Sequence, residues 1–195
     1  MRFTRSVVVL SAAALAASVA AAFGPSASAA TPASGSLTLT ASTAFAHGAV
    51  CDGLFVSVGS PATSSWSGTT GGTAVLPVTG GDANLTQFVG SAQLGGSLTV
   101  VDVATGHSVT FSQLTFDDFA GVFSGVPQGG TAPVALLDPS GDLSVSASGG
   151  VQTFSASESD LDPAGAAYLD GALHTAFFQG GAAVGALTLS YTPAS

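Results

Sequence analysis

Ala186-Leu187-Thr188-Leu189-Ser190-Tyr191 alternates strictly, with Leu187, Leu189 and Tyr191 on one side and Ala186, Thr188 and Ser190 on the other. A period of two sends successive side chains to opposite faces, so this is a strand with one face toward a core. The same period runs through Ser36-Leu37-Thr38-Leu39-Thr40-Ala41, Ala74-Val75-Leu76-Pro77-Val78 and Asp142-Leu143-Ser144-Val145-Ser146-Ala147. Leu98 to Val103 and Val109 to Phe116 are more continuously apolar, as expected of strands covered on both sides. In the second of these the apolar parity switches between Phe111 and Leu114, which predicts a bulge. Gly149-Gly150 separates Asp142–Ser148 from Val151–Ser157 and predicts a two-residue hairpin turn. Ala104-Thr105-Gly106-His107 reads as a longer hairpin loop, and Asp138-Pro139-Ser140-Gly141 as a turn with proline at its second position. The stretch from Gly59 to Gly72, rich in Ser, Thr and Gly around Trp66, reads as a long loop.

One helix is expected, over about 163–175. Asp162 is a good N-cap, and Pro163 occupies the first helical position, where a missing N–H costs nothing. Leu169, Leu173 and Phe177 then form an apolar stripe beside Ala166 and Ala172, and Gly180-Gly181 ends the segment. The short segment Ala46-His47-Gly48-Ala49-Val50 carries no helical signal. Short strands with one late helix make the fold class mainly β: an antiparallel β-sandwich or barrel-like domain with one α-helix in the C-terminal region.

The chain has 195 residues, 46% apolar and only 7% charged. Its two basic residues are Arg2 and Arg5, against eleven acidic ones. Arg2 and Arg5 open a secretory signal peptide over residues 1–29: a positive start, an apolar stretch from Val7 to Phe23, and the small-x-small site Ala27-Ser28-Ala29. The remainder, 30–195, is expected to be a single β-rich domain, secreted or extracellular, with no membrane span once the signal is removed. From residue 6 onward there is neither Lys nor Arg. That excludes nucleic-acid binding, which needs cations to displace counterions from phosphate. It also excludes Walker-type nucleotide loops and Schiff-base enzymes. Cys51 is the one cysteine, so no disulfide can form within one molecule, and it is expected to be a buried small hydrophobe.

No local motif nominates a catalytic centre: G-x-S-x-G, S-x-x-K and H-E-x-x-H are absent. His47, Cys51 and Asp52 are close in sequence but supply too few ligands for a transition metal. Asp117, Asp118, Asp138 and Asp142 are the candidates for a Ca²⁺ site, although none matches a loop of fixed ligand spacing. Tyr168 and His174, in or just past the helix, are the candidate cofactor-binding residues, with His174 expected to be partly buried. Trp66 is the aromatic residue expected to be exposed.

Three passages carry a family resemblance. They are Thr73-Ala74-Val75-Leu76-Pro77-Val78-Thr79-Gly80-Gly81; the strand pair Gly96 to Val103 and Ser108 to Asp117; and the ending, Leu161-Asp162-Pro163-Ala164-Gly165-Ala166-Ala167-Tyr168-Leu169 followed by Gly185-Ala186-Leu187-Thr188-Leu189. Residues 73–192 resemble HtaA-type domains, which are secreted or cell-surface modules of actinobacteria associated with haem uptake. The resemblance implies a non-catalytic extracellular module for an apolar or planar ligand such as haem. Ser36 to Val58 holds neither Tyr nor Trp, so the family's iron-ligating segment has no counterpart here. From the residues alone, two further classes stay open: a structural or adhesive surface protein, Ca²⁺-assisted through the carboxylates and bound to a cell-surface component, and a hydrolase with an unrecognised site.

The exported protein is expected to begin at or near Ala30 and, even when denatured, to resist trypsin. N-terminal sequencing that finds Met1 or Arg2, or tryptic fragments of the exported chain, would contradict this.

Overall fold

A computed structural model describes residues 30–67 and 71–195; the expected signal peptide lies outside the described residues. The elements in chain order are β1 (Ser34–Ala41), α1 (Thr43–Cys51), β2 (Leu54–Gly59), β3 (Thr63–Ser67), β4 (Gly71–Gly81), β5 (Ser91–Leu94), β6 (Ser97–Asp102), β7 (His107–Asp117), β8 (Val122–Pro127), β9 (Val134–Ser148), β10 (Val151–Leu161), α2 (Pro163–Leu173) and β11 (Ala183–Thr192). All strand pairings are antiparallel. The order β7-β5-β4-β1-β11-β10-β9-β8 closes on itself where β8 pairs β7, so eight strands make a barrel. β6 and β2 extend from β7, and β3 from β4. Of the two architectures that the alternation allows, the chain adopts the closed one, which leaves the barrel strands no free edge.

Register explains the core. Leu37 faces Leu76 on one side and Leu189 on the other, and Leu189 faces Phe154. These four side chains form a row across neighbouring strands, all of them buried. Phe154 then meets Phe116 across the interior with ring centroids 5.4 Å apart. Tyr191 is core as its parity requires, and its hydroxyl donates to the Gly81 carbonyl at 2.9 Å.

β7 carries the expected irregularity. One of its edges pairs β8 with a register shift between Ser112 and Thr115. Its other edge pairs β6 over His107 to Phe111 and β5 over Leu114 to Asp117. Gln113 sits at the change of partner with φ 49°, a left-handed conformation unusual outside glycine. β4 divides likewise: β1 lies on one edge, while β3 (opposite Gly71 to Val75) and β5 (opposite Val78 to Gly81) share the other.

Helix α2 starts where expected but ends at Leu173, so Phe177, expected on its apolar stripe, lies beyond it. Asp162 accepts from the Ala164 N–H at 2.6 Å and the Gly165 N–H at 3.3 Å. Leu169 and Leu173 are buried, and His174 closes the helix at φ 55°. The helix lies close on β9: a Cβ at Gly165 would stand 2.5 Å from the Ala135 carbonyl oxygen.

Several local expectations are corrected. A second helix, α1, spans Thr43–Cys51, where no helical signal was read. Ser42 caps it by accepting from the Phe45 N–H at 3.1 Å, and Gly48, a poor helix former, lies beside the Phe177 ring. The loop expected over 59–72 contains β3, which gains strand structure by pairing β4. Asp138-Pro139-Ser140-Gly141 is no turn but part of the long strand β9; the register shift near Ala156 and Glu158, with Gly141 at φ 70°, absorbs its irregularity. Cys51 is exposed rather than buried, because it ends α1 on the side away from the core. Gly149 and Gly150, both at positive φ, make the expected β9–β10 hairpin turn.

Leu173→Ala should cost about 2–5 kcal/mol, and Asp162→Ala about 1 kcal/mol. Gly165→Ala should also destabilise, although alanine is the better helix former, because the added methyl meets the β9 backbone. Chemical denaturation measures all three; an unchanged midpoint for Leu173→Ala would contradict the packing of α2.

Candidate functional site

The division of β4 and β7 opens the wall of the barrel. In one half β5, only four residues long, bridges β4 to β7. In the other half β3 follows β4 while β6 and β2 follow β7, and α1 lies beside this gap, packed against β2, β4 and β11. A cavity of about 770 Å³ fills the space. Phe45, Ala46 and Ala49 of α1 line it, with Leu54, Val56 and Val58 of β2, Trp66 of β3, Leu98 and Val100 of β6, and Phe111 and Phe123 deeper in. Among the described residues, no charged side chain and no His, Cys, Tyr or Met lines it. Its polar lining side chains are hydroxyls: Thr40, Ser64, Ser65, Thr73 and Ser159. Trp66, 59% exposed, stands at its border with Val50, Phe55 and Val56, which are exposed as well.

A second cavity, about 320 Å³, lies among the β4–β5 loop (Phe88), the end of β7 and the β7–β8 hairpin (Phe116, Asp118, Phe119), β9 (Asp138, Leu143) and β10 (Phe154). Most of the strongly exposed large apolar side chains among the described residues border one cavity or the other; the exceptions are Val89, Val103 and Val151. Exposed apolar surface gathered in this way marks a binding surface rather than chance exposure.

The four carboxylates taken as Ca²⁺ candidates separate. Asp117 is exposed, and its Oδ1 accepts from the Ala120 N–H at 2.8 Å, shaping the β7–β8 hairpin. Asp142 is exposed on β9. Asp118 and Asp138 both line the second cavity. Among the described residues no group of three or more His, Cys, Asp or Glu is placed to hold a metal ion. Burial pushes Asp118 up to about 6; the nearby Val89 amide opposes the rise, and the Asp117 charge adds to it. Asp138 is raised by burial first, then by Asp162 and Asp160 nearby.

Tyr168 is half-buried on α2 with its ring 5.8 Å from Phe111, and it lines neither cavity. His174 is exposed instead of partly buried, because its left-handed cap conformation turns the chain away from the helix face. Its ring lies 4.4 Å from that of His107, since Thr105 Oγ1 donates to the Leu173 carbonyl at 2.9 Å and docks the β6–β7 hairpin on the end of α2. Helix α1 puts His47 and Cys51 four residues apart on one helix, both exposed and outside the cavity lining. The alternation in 54–58 and 98–100 could have pointed to the large cavity, but only if β2 and β6 were known to lie outside the barrel.

No family model and no curated protein matches the chain. Solved structures are similar to it, two of which follow. One is the C-terminal domain of HtaA from Corynebacterium glutamicum, 12% identical, covering 85% of this chain and 99% of that one with a TM-score of 0.58. The other is the haem-binding protein HtaB from the same organism, 12% identical, covering 84% and 94% with a TM-score of 0.47. The chain has an HtaA-like fold, and the likeness to the HtaA domain extends well beyond residues 73–192.

Asp118 binds its proton more tightly in the folded chain than in the unfolded one. Its ionised form therefore costs stability above pH 6, and the cost disappears as pH falls from about 6 toward the unfolded value of 3.8. Asp118→Asn should raise the unfolding free energy by on the order of 2 kcal/mol at pH 8 and by little at pH 4. Urea denaturation at the two pH values checks this; a loss of stability at pH 8 would contradict it.

Proposed function

We propose that this protein is an exported, non-catalytic binding module that holds a largely apolar organic ligand in the cavity beside α1. One observation carries the reading: a space of about 770 Å³, lined by no charged group, whose border of Val50, Phe55, Val56 and Trp66 is left uncovered. Ligand pockets of this size are mostly apolar with a few polar groups for orientation, and the Ser and Thr hydroxyls supply those here. Among the described residues the lining contains no titratable side chain, so none of them offers a bound molecule an acid, a base or a strong nucleophile. The HtaA-like fold and the signal-like N-terminus support an extracellular or cell-surface setting.

The resemblance makes haem the group to test against this cavity. Its walls suit the face of a planar macrocycle. They do not suit iron, because no His, Tyr, Cys or Met lines them. Propionates would find no Lys or Arg, since none follows Arg5. The ligand is therefore held through its hydrocarbon surface and not through a metal.

Trp66 is the single tryptophan, so its emission reports on the cavity. The neutral dye N-phenyl-1-naphthylamine should bind saturably, brighten, and quench Trp66. Val56→Glu places a charge at the exposed border and should weaken the dye about tenfold, some 1.4 kcal/mol, without moving the denaturation midpoint. Haemin and metal-free protoporphyrin should displace the dye equally well. Dye binding that ignores Val56→Glu and leaves Trp66 emission unchanged would overturn the site. Much tighter binding of haemin, with the absorption bands of an axially ligated iron, would overturn the metal-free reading.

A further inference from the structure

The second cavity holds three features that folding alone does not reward. Asp118 is 3% exposed, and neither of its carboxylate oxygens has a hydrogen-bond partner among the described residues. A buried carboxylate left unpaired is costly. Phe119, at the tip of the β7–β8 hairpin, is 84% exposed. Phe88, half-exposed across the same cavity, is held at φ 54°, where a bulky side chain is strained. Strain, exposed aromatic surface and an uncompensated charge thus converge on one space of about 320 Å³.

A carboxylate in this position calls for a positive partner. Among the described residues there is none to supply it: no Lys or Arg follows Arg5, and none of the three histidines lines the cavity. The partner comes from outside. A metal ion is a poor match, because Ca²⁺ takes six to eight oxygens, whereas two carboxylates line the cavity and the oxygens of Asp118 are closed to water. An organic cation needs no direct coordination. Its charge acts through the low-dielectric wall, and its methyl groups pack on aromatic faces, which are drawn to cations by the ring quadrupole.

We propose that this cavity binds the trimethylammonium group of a small organic cation, seated against Phe88 and Phe119 and attracted by Asp118 and Asp138. The group can reach a protein as a free solute or on a phosphocholine headgroup. The surrounding carboxylates, Asp117 among them, repel a phosphate near the ammonium, so the free cation is the ligand.

Isothermal titration of the purified chain with choline tests this, with 3,3-dimethylbutan-1-ol as the uncharged isostere and NaCl and CaCl₂ as controls. Choline should bind saturably. The isostere should bind at least about tenfold more weakly, and neither salt should reproduce the effect. Asp118→Asn should weaken choline by about tenfold or more while leaving the denaturation midpoint at or above that of the parent, so that lost binding cannot be ascribed to unfolding. Phe119→Ala, at an exposed position, should weaken it about three- to tenfold. Equal binding of the isostere, choline binding unaffected by Asp118→Asn, or saturable replacement by CaCl₂ would overturn the proposal. The chain should not sediment with phosphatidylcholine vesicles; if it did so in a choline-competed manner, the free-cation assignment would be overturned.

Discussion

A strand edge can hydrogen-bond to only one neighbour at each position, and this limit shapes the molecule. β5 is too short to satisfy the facing edges of β4 and β7 along their whole length. The remaining parts of those edges pair with β3 and β6 instead, and these two strands do not pair with each other. The barrel is therefore closed in one half and split in the other. Its apolar interior, continuous through Phe111 and Phe123, is left open to a cavity in the split half. The unusual backbone of Gln113 lies where β7 changes partner, and α1 lies where the wall has parted. The cavity thus follows from backbone pairing, and the side chains around it adapt to a space already set.

Charge imposes the second constraint. Eleven carboxylates and no Lys or Arg after residue 5 leave no Lys or Arg counter-ion for a buried acid among the described residues. Several of the acids instead serve the backbone. Asp102, buried at the β6–β7 hairpin, accepts from the Ala104 and Thr105 amides. Asp162 caps α2, Asp117 shapes a hairpin, and Asp170 accepts from the Phe178 N–H. Asp118 has no such use. It differs from its neighbours in being buried and unpaired together, which sets the second cavity apart from the first: one is lined without charge, the other holds a charge without compensation.

Much of the fold was legible because its signals are local. Period-two alternation marked β1, β4, β11 and parts of β9, and parity between Phe111 and Leu114 located the bulge in β7. Asp162-Pro163 marked the start of α2 because capping and proline placement act within one turn. Helix α1 was not legible: its Ala-rich segment has a weak apolar stripe and includes Gly48, and what holds it is the Ser42 cap together with packing on elements distant in sequence. β3 was hidden for a similar reason, since its Ser-rich sequence becomes a strand only when β4 offers an edge.

The sequence by itself determined the β character, the late helix and the lack of Lys and Arg after residue 5, because propensity, alternation and composition are properties of residues and near neighbours. Only the tertiary structure decided that the sheet closes into a barrel with added strands, that Trp66 borders a cavity, and that Asp118 of the β7–β8 hairpin and Asp138 of β9 line one aromatic space with Phe88 and Phe119. Closure depends on pairings between strands far apart in the chain, and no short stretch of residues carries the information about which edges will meet.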